Sequence, residues 1–267
     1  MEVPILNLDG TKAGRVALPP VFSTPVREGL IHKVFVAQRT HVMQSQGRDP
    51  RAGEKTSAES WGTGRGKARM ARVKGERHPR AGQAAGVASV VHGRIPHPPK
   101  SETGLRSRIN RKERILATRS AIAATGTREL VVRRGHRLNA NTEYPIVLSD
   151  EIEGLNRAAD LRVTLEKLGL GDELGRIDHG RKTRSGKAAL RGRVKRTPTG
   201  PLMIVAEDRG IGRAAGGLGG VEWRRAQDLS VMDLAPGGHV GRLAIWSKSS
   251  LEHLSRNVAR RVELIAA

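Results

Sequence analysis

Apolar positions along the chain fall into two blocks with helical or strand-like spacing, separated by a long polar stretch. Val3–Leu8 is a short apolar run closed by Asp9-Gly10, and Arg15–Leu18 follows; this predicts two strands joined by a turn. Pro19, Pro20 and Pro25 punctuate the approach to a helix over Arg27–Met43. There Leu30, Ile31, Val34, Phe35 and Val42 form an apolar stripe. Periodicity then stops until Asn110-Arg111-Lys112-Glu113, which has the N-cap residue and acidic third position of a capping box. Ile115, Leu116, Ile122 and Ala123 continue that helix, and Gly126 is its expected C-cap. Tyr144–Leu148 reads as a buried strand, Asp150 as the cap of a helical stretch, and Ala158–Leu168 as a helix with Leu161, Leu165 and Leu168 on one face. Leu202–Ala206 and Leu243–Trp246 are further strands, and Ser249-Ser250-Leu251-Glu252 opens a terminal amphipathic helix. Strands alternating with helices predict an α/β fold, with a mostly parallel sheet covered on both faces. Helices on either side of the polar stretch place its two ends on one body. No internal repeat is present.

The polar stretch changes the picture once its charge is counted. Residues 44–114 hold 17 Lys/Arg against 6 Asp/Glu, a net of +11, which is half of the whole chain's +22. So little apolar surface cannot offset the entropy of ordering the segment, and a polyanion is expected to order it. A loop of this length inside a domain is functional or disordered. Across all 267 residues, 48 Lys+Arg against 26 Asp+Glu point to nucleic acid or an anionic membrane surface. No apolar run approaches the ~18 residues a membrane span needs, and the basic stretch lacks the apolar face of an interfacial helix. No membrane partner is expected. Glu2 and the short run after it do not make a signal peptide. The chain has no cysteine, which excludes disulfides and thiolate zinc sites and fits a reducing, cytoplasmic setting.

Patterns that suggest enzyme chemistry fail on inspection. Gly210-Ile211-Gly212-Arg213-Ala214-Ala215 has the dinucleotide-binding form, but Glu207-Asp208-Arg209 stands between strand and glycines. These residues break the tight turn and put acids where a pyrophosphate would lie, so a glycine-rich helix start is expected instead. Gly180–Ala188 resembles a P-loop with one residue too many, and Ala188 replaces the magnesium-binding hydroxyl. Ile95-Pro96 between His92 and His97 rules out a helical metal pair. No G-x-S-x-G elbow occurs. No catalytic residue, metal or cofactor is expected.

The basic segments have clear physical uses. Arg offers a planar fork for phosphate, Lys a flexible point charge. Candidate RNA contacts in the 44–109 loop are Arg48, Arg51, Lys55, Trp61, Arg65, Lys67, Arg69 and Arg72, then Lys74, Arg77, Arg80, Arg94, Lys100, Arg106 and Arg108. A second basic tract within 179–199 adds Arg181, Lys182, Arg184, Lys187, Arg191, Arg193, Lys195 and Arg196. Gly62-Thr63-Gly64-Arg65-Gly66 lets backbone N–H groups approach phosphates or bases. Trp61 either stacks on a base or an arginine, or packs the base of the loop against the folded domain. The tract is expected to form neither helix nor ribbon, which favours folded RNA over duplex DNA. An RNA-processing or RNA-modifying enzyme and a DNA-compacting protein remain open on residues alone.

Four stretches settle a resemblance: Ser60-Trp61-Gly62-Thr63-Gly64-Arg65; Gly82-Gln83 through Gly93-Arg94; Ser185-Gly186-Lys187 to Arg191-Gly192-Arg193 before Gly200-Pro201-Leu202; and Leu234-Ala235-Pro236-Gly237-Gly238-His239 with Gly241-Arg242-Leu243. In this order, over essentially the whole chain, they resemble the large-subunit ribosomal protein L four family in its archaeal–eukaryotic form. Ala188-Ala189-Leu190 departs from relatives that often carry Lys or Met there. The resemblance implies one three-layer α/β/α domain over 1–267, interrupted by an extended rRNA-binding loop at 44–109 and a second basic loop at 179–199. It implies a loop tip of Arg69, Met70, Arg72, Lys74, Gly75, Glu76, Arg77, His78 and Arg80 that helps line the nascent-peptide tunnel. Its implied partners are large-subunit rRNA, neighbouring large-subunit proteins and the nascent peptide. The implied role, on cytoplasmic ribosomes, is structural and supports subunit assembly, with no catalytic residue.

Overall fold

Continuous apolar runs such as Leu202–Val205 become central strands because both faces of a parallel sheet are covered. The computed structural model describes residues 2–139 and 142–254. In chain order the strands and α-helices begin with β1 (Glu2–Leu6), β2 (Lys12–Ala17), α1 (Glu28–Val42), β3 (Ala58–Ser60) and β4 (Ala71–Val73). Next come α2 (Arg111–Thr125), α3 (Arg128–Arg133), β5 (Ile146–Leu148), α4 (Ala158–Leu165) and α5 (Gly171–Gly180). Then follow β6 (Lys182–Thr183), α6 (Gly186–Leu190), β7 (Lys195–Arg196), β8 (Leu202–Val205) and α7 (Ile211–Gly217). The last three are β9 (Glu222–Arg225), α8 (Val231–Leu234) and β10 (Ala244–Ser247). Residues 248–254 are helical; the rest of the expected terminal helix lies outside the described residues. Tertiary contacts divide the chain into two units. One runs to Arg39 and resumes at Ser107; the other is Thr40–Arg106.

The first unit is built on a six-stranded sheet in the order β2-β1-β5-β10-β8-β9. β1 and β2 are antiparallel, and all other neighbours are parallel. Alternation along the central strands sends Val147, Leu202, Ile204 and Trp246 to one face, against Ile31, Val34 and Phe35 of α1 and Ala117, Ala121 and Ile122 of α2. Ile146, Leu148, Met203, Val205 and Ile245 go to the other, against Leu161 and Leu165 of α4, Leu174 and Ile177 of α5, and Ile211 of α7. This is an α/β fold with helices on both faces of a mostly parallel sheet, as the alternation of elements predicts.

Several local expectations need correction. Asn110 precedes α2, yet its side chain makes no capping bond. Glu113 is drawn away by Lys33 of α1, whose Nζ donates to both carboxylate oxygens at 2.9 and 3.1 Å. Asp150 caps no helix of its own; Ser149 precedes the 3-10 turn Asp150–Gly154, and Asp150 Oδ1 accepts from Ser249 N at 2.8 Å. Val42, placed on the core stripe of α1, is 76% exposed because the buried stripe ends at Ala37. Beyond Leu165 the helix continues as a wide turn to Leu170, reversed at Gly169, which still buries Leu168.

Gly241 is a position where only glycine fits. Its φ is +85°, and a Cβ there would lie 2.4 Å from the Leu130 carbonyl oxygen. Gly241→Ala is expected to cost about 2 kcal/mol in urea unfolding, from left-handed strain plus the clash. Gly14→Ala, on β2 with no atom within 4 Å of its would-be Cβ, is the control and should cost nothing measurable. Equal midpoints for the two variants would contradict this account.

In the second unit β3 and β4 pair antiparallel, with Ala58 opposite Val73 and Ser60 opposite Ala71. The free edge of β4 takes up the chain at 82–85: Val73 N donates to Gln83 O at 2.9 Å and Ala85 N to Ala71 O at 3.0 Å. The tract therefore does form a short ribbon, contrary to the reading that it forms none. Small residues explain it: Val73 and Ala85 are buried, so two apolar side chains and a backbone ladder suffice to register three short segments.

Candidate nucleic-acid interface

The second unit offers its cations in two states. Lys55 pairs with Asp49, Lys74 Nζ with Glu59 at 2.5 Å, and Arg94 Nε with Glu54 at 3.6 Å. Lys55 and the Arg51 N–H hold the Asp49 carboxyl below its ordinary range, and Lys74 does the same for Glu59. Arg48, Arg72, Arg80 and Arg94 are half-buried, and Arg72 Nη1 donates to Gly82 O at 2.9 Å. By contrast Arg51, Arg65, Lys67, Arg69, Arg77, Lys100, Arg106 and Arg108 are exposed. None of these eight has a carboxylate partner among the described residues. Trp61 is 38% exposed. Lys67 Nζ lies 4.8 Å and Arg72 Cζ 5.5 Å from its ring centroid, so the ring is stacked by cations of its own tract.

Among the tip residues, Lys74, Gly75, Glu76, Arg77 and His78 are exposed, as is Arg69, while Met70, Arg72 and Arg80 are half-buried. His78 Nδ1 accepts from Arg80 N at 3.1 Å, and Ala81 N donates to His78 O at 2.8 Å, forming the turn. Gly75 has φ +99°.

The second basic tract is a hairpin, with β6 and β7 antiparallel and α6 between them. Arg184 N donates to Val194 O at 2.7 Å and Arg193 N to Ala188 O at 2.9 Å. Arg181, Lys182, Arg184, Lys187, Arg191, Arg193, Lys195 and Arg196 are all exposed. Arg181 alone of these faces a carboxylate among the described residues, Asp178 at 3.9 Å. Eight cations on one small element leave a strongly positive surface, with Asp178 the one carboxylate paired to it among the described residues.

A family model described as the Ribosomal protein L4/L1 family matches residues 16–257. The chain belongs to this family. Large ribosomal subunit protein uL4 of Methanopyrus kandleri is 43% identical over 258 residues, spanning 97% of this chain and 99% of that protein. The protein of the same name from Methanosphaera stadtmanae is 41% identical over 253 residues, 95% of this chain and 96% of its own. That from Saccharolobus solfataricus is 41% identical over 259 residues, 97% and 95%. The family is one of structural ribosomal proteins, so this member is not an enzyme.

The family member's glycine-rich decoy now has a packing explanation. Asp208 Oδ1 accepts from Gly210 N and Gly212 N, both at 3.1 Å, so a carboxylate of the chain already occupies the start of α7. A Cβ on Gly212 would lie 2.8 Å from Trp223, and one on Gly210 1.6 Å from Asn156 Oδ1.

What the residue pattern missed is the buried ionic support behind the second hairpin. Glu173 of α5 is fully buried. Its Oε1 meets His136 Nδ1 at 2.6 Å, and its Oε2 accepts from Arg137 N at 2.9 Å. Arg176 forks onto the same carboxylate at 2.7 and 2.8 Å, and also donates to Thr199 O at 2.8 Å. Next in the chain, Gly200 O accepts from Arg242 Nε at 3.1 Å, and Arg242 is fully buried. The residues that end the hairpin are thus held by two arginines. His136 and Glu173 lie 37 residues apart, so no local spacing announces them.

Proposed function

We propose that the chain is a structural constituent of the large ribosomal subunit that grips rRNA with two basic segments of one α/β domain, 44–109 and 179–199. The tip, Arg69–Arg80, helps line the nascent-peptide exit tunnel, and the ordered loop supports subunit assembly beside neighbouring large-subunit proteins. The observation that supports this most is the set of exposed, carboxylate-free cations in both segments, in a chain similar along its length to large-subunit proteins. Such groups contact phosphate without first breaking an internal pair. Trp61, 38% exposed, stacks an unpaired base once Lys67 moves to phosphate. No helix among the described residues is long and apolar enough to cross a membrane, which fits a cytoplasmic ribosome.

Amide exchange tests the reading. In the free chain residues 45–109 should exchange fast, since few apolar contacts back the short ladder of β3 and β4; inside large subunits they should be protected. Deleting Lys74–Pro79 should leave the α/β unit folded while disturbing assembly or tunnel geometry. Equal protection in both states, or global unfolding of the deletion variant, would sink it.

A further inference from the structure

Outside both basic segments, a cleft of about 390 Å³ opens between the end of α1, the first turns of α2 and the chain before α8. Gln38, Arg111, Arg114, Ile115, Asp228 and Leu229 line it. Ile115 and Leu229 are largely buried and form an apolar floor. Arg111 and Arg114 are exposed and have no carboxylate partner among the described residues. Gln38 Oε1 accepts no hydrogen bond, but it is shielded from solvent and is not presented to a ligand. Asp228 is exposed and forms no ion pair among the described residues. The nearby hydroxyls are spent: Thr118 Oγ1 donates to Arg114 O at 3.0 Å and Ser230 Oγ to Asp233 Oδ2 at 2.5 Å. What the cleft offers is two cationic donors, the Asp228 carboxylate, the exposed Gln227 amide and an apolar floor.

That combination selects its ligand. A bare anion would satisfy the arginines and leave the Asp228 carboxylate facing negative charge. An acidic peptide would meet Asp228, and an apolar one would leave both guanidinium groups without use. A nucleotide has both halves: phosphate oxygens for an arginine fork, and a flat base whose face covers apolar side chains while its edge donates N–H groups. Guanine suits the Asp228 carboxylate best, because its N1–H and N2–H₂ lie side by side on one edge and match two carboxylate oxygens. We propose that this cleft binds one unpaired guanosine nucleotide of RNA, with phosphate on Arg111 and Arg114, base over Ile115 and Leu229, and base edge on Asp228. This rests on the RNA-binding reading above but adds a site that uses none of the loop or hairpin cations.

The test uses the full chain with four probes: 5′-GMP, 5′-AMP, 5′-UMP and inorganic phosphate, followed through the Ile115 and Leu229 methyl resonances. GMP should shift both methyls, and AMP, UMP and phosphate should bind several-fold more weakly. Arg111→Gln with Arg114→Gln should abolish the shifts, and Asp228→Asn should remove the preference for GMP over AMP. All three residues are exposed, so thermal unfolding should not move. On large-subunit rRNA without other proteins, the double arginine variant should flatten the log–log salt dependence by about 1–2. GMP shifts no larger than those from phosphate, shifts that survive the arginine changes, or an unchanged rRNA salt slope would each overturn the proposal. Methyl shifts that arise only on adding another large-subunit protein would overturn it in favour of a protein ligand. Wild-type chain that fails to prefer rRNA over duplex DNA sinks the broader reading; wild-type binding untouched by the arginine changes sinks only the cleft.

Discussion

Changing Arg51, Arg65, Arg69, Arg77 and Lys100 together to glutamine should flatten the log–log salt dependence of rRNA binding by about four, since each phosphate contact contributes about 0.7–0.9. Between 50 and 200 mM salt the wild-type affinity should fall by about 10³–10⁵-fold, and the variant's fall should be roughly 10²-fold smaller. These five are exposed and carboxylate-free among the described residues, so they reach phosphate at no electrostatic cost. Lys55, Lys74 and Arg94 must first leave Asp49, Glu59 and Glu54. Their triple glutamine variant should therefore flatten the slope by less per residue. Titrations of the full chain against large-subunit rRNA at four or more salt concentrations decide the matter. An unchanged slope in the five-residue variant, or equal flattening per residue in both, would remove the distinction between free and paired cations.

The architecture was legible wherever burial on both sheet faces forces an apolar run. β8 and β10 are wholly buried, and such strands need no alternating pattern to be read. Edge strands escape that logic. β9 is Glu-Trp-Arg-Arg with only Trp223 partly buried, because its outer side and much of both faces meet solvent. α5 was missed for a different reason: three glycines and five charged or titratable residues hide the pair Leu174 and Ile177 that seat it. The capping box at Glu113 is a third kind of failure, in which a correct local motif loses to a lysine 80 residues away. The basic segments were legible as charge, but their internal pairing was not. Which lysine faces a carboxylate depends on the ladder between β3 and β4, and that ladder rests on Val73 and Ala85 rather than on any strong strand pattern. Arg111 and Arg114 counted towards the basic tract, yet the cleft they share with Gln38 and Asp228 requires the sheet topology to exist first.

The stability of the α/β unit should depend on one buried carboxylate, with a defined pH signature. Burial opposes ionisation of Glu173, but the Arg176 fork, His136 and the Arg137 N–H outweigh it and hold the carboxyl down to about 2, from an ordinary 4.5. A carboxyl with a depressed folded pKa stabilises above its unfolded value and loses that contribution as pH falls through the folded one. The difference corresponds to about 3 kcal/mol. Glu173→Gln should cost that much at pH 7, because it leaves Arg176 and His136 without their anion, and should lower the melting temperature by roughly 6–12 °C. Burial lowers the His136 pKa first, with Arg176 and Arg134 adding to it against the pull of Glu173. Its ring is therefore neutral at pH 7 and donates Nδ1–H to the carboxylate. Without Glu173 the His136 pKa loses the pull that raises it, so below pH ~6.5 the variant is destabilised at least as much as wild type, and the gap narrows only when the Glu173 carboxylate itself titrates. Urea unfolding of both proteins should show a gap that holds or widens from pH 7 to about 5 and closes between about 4.5 and 2. A gap that stays constant to pH 2.5, or one below about 1 kcal/mol at pH 7, would show that the carboxylate is a spectator and that Arg176 holds Thr199 without it.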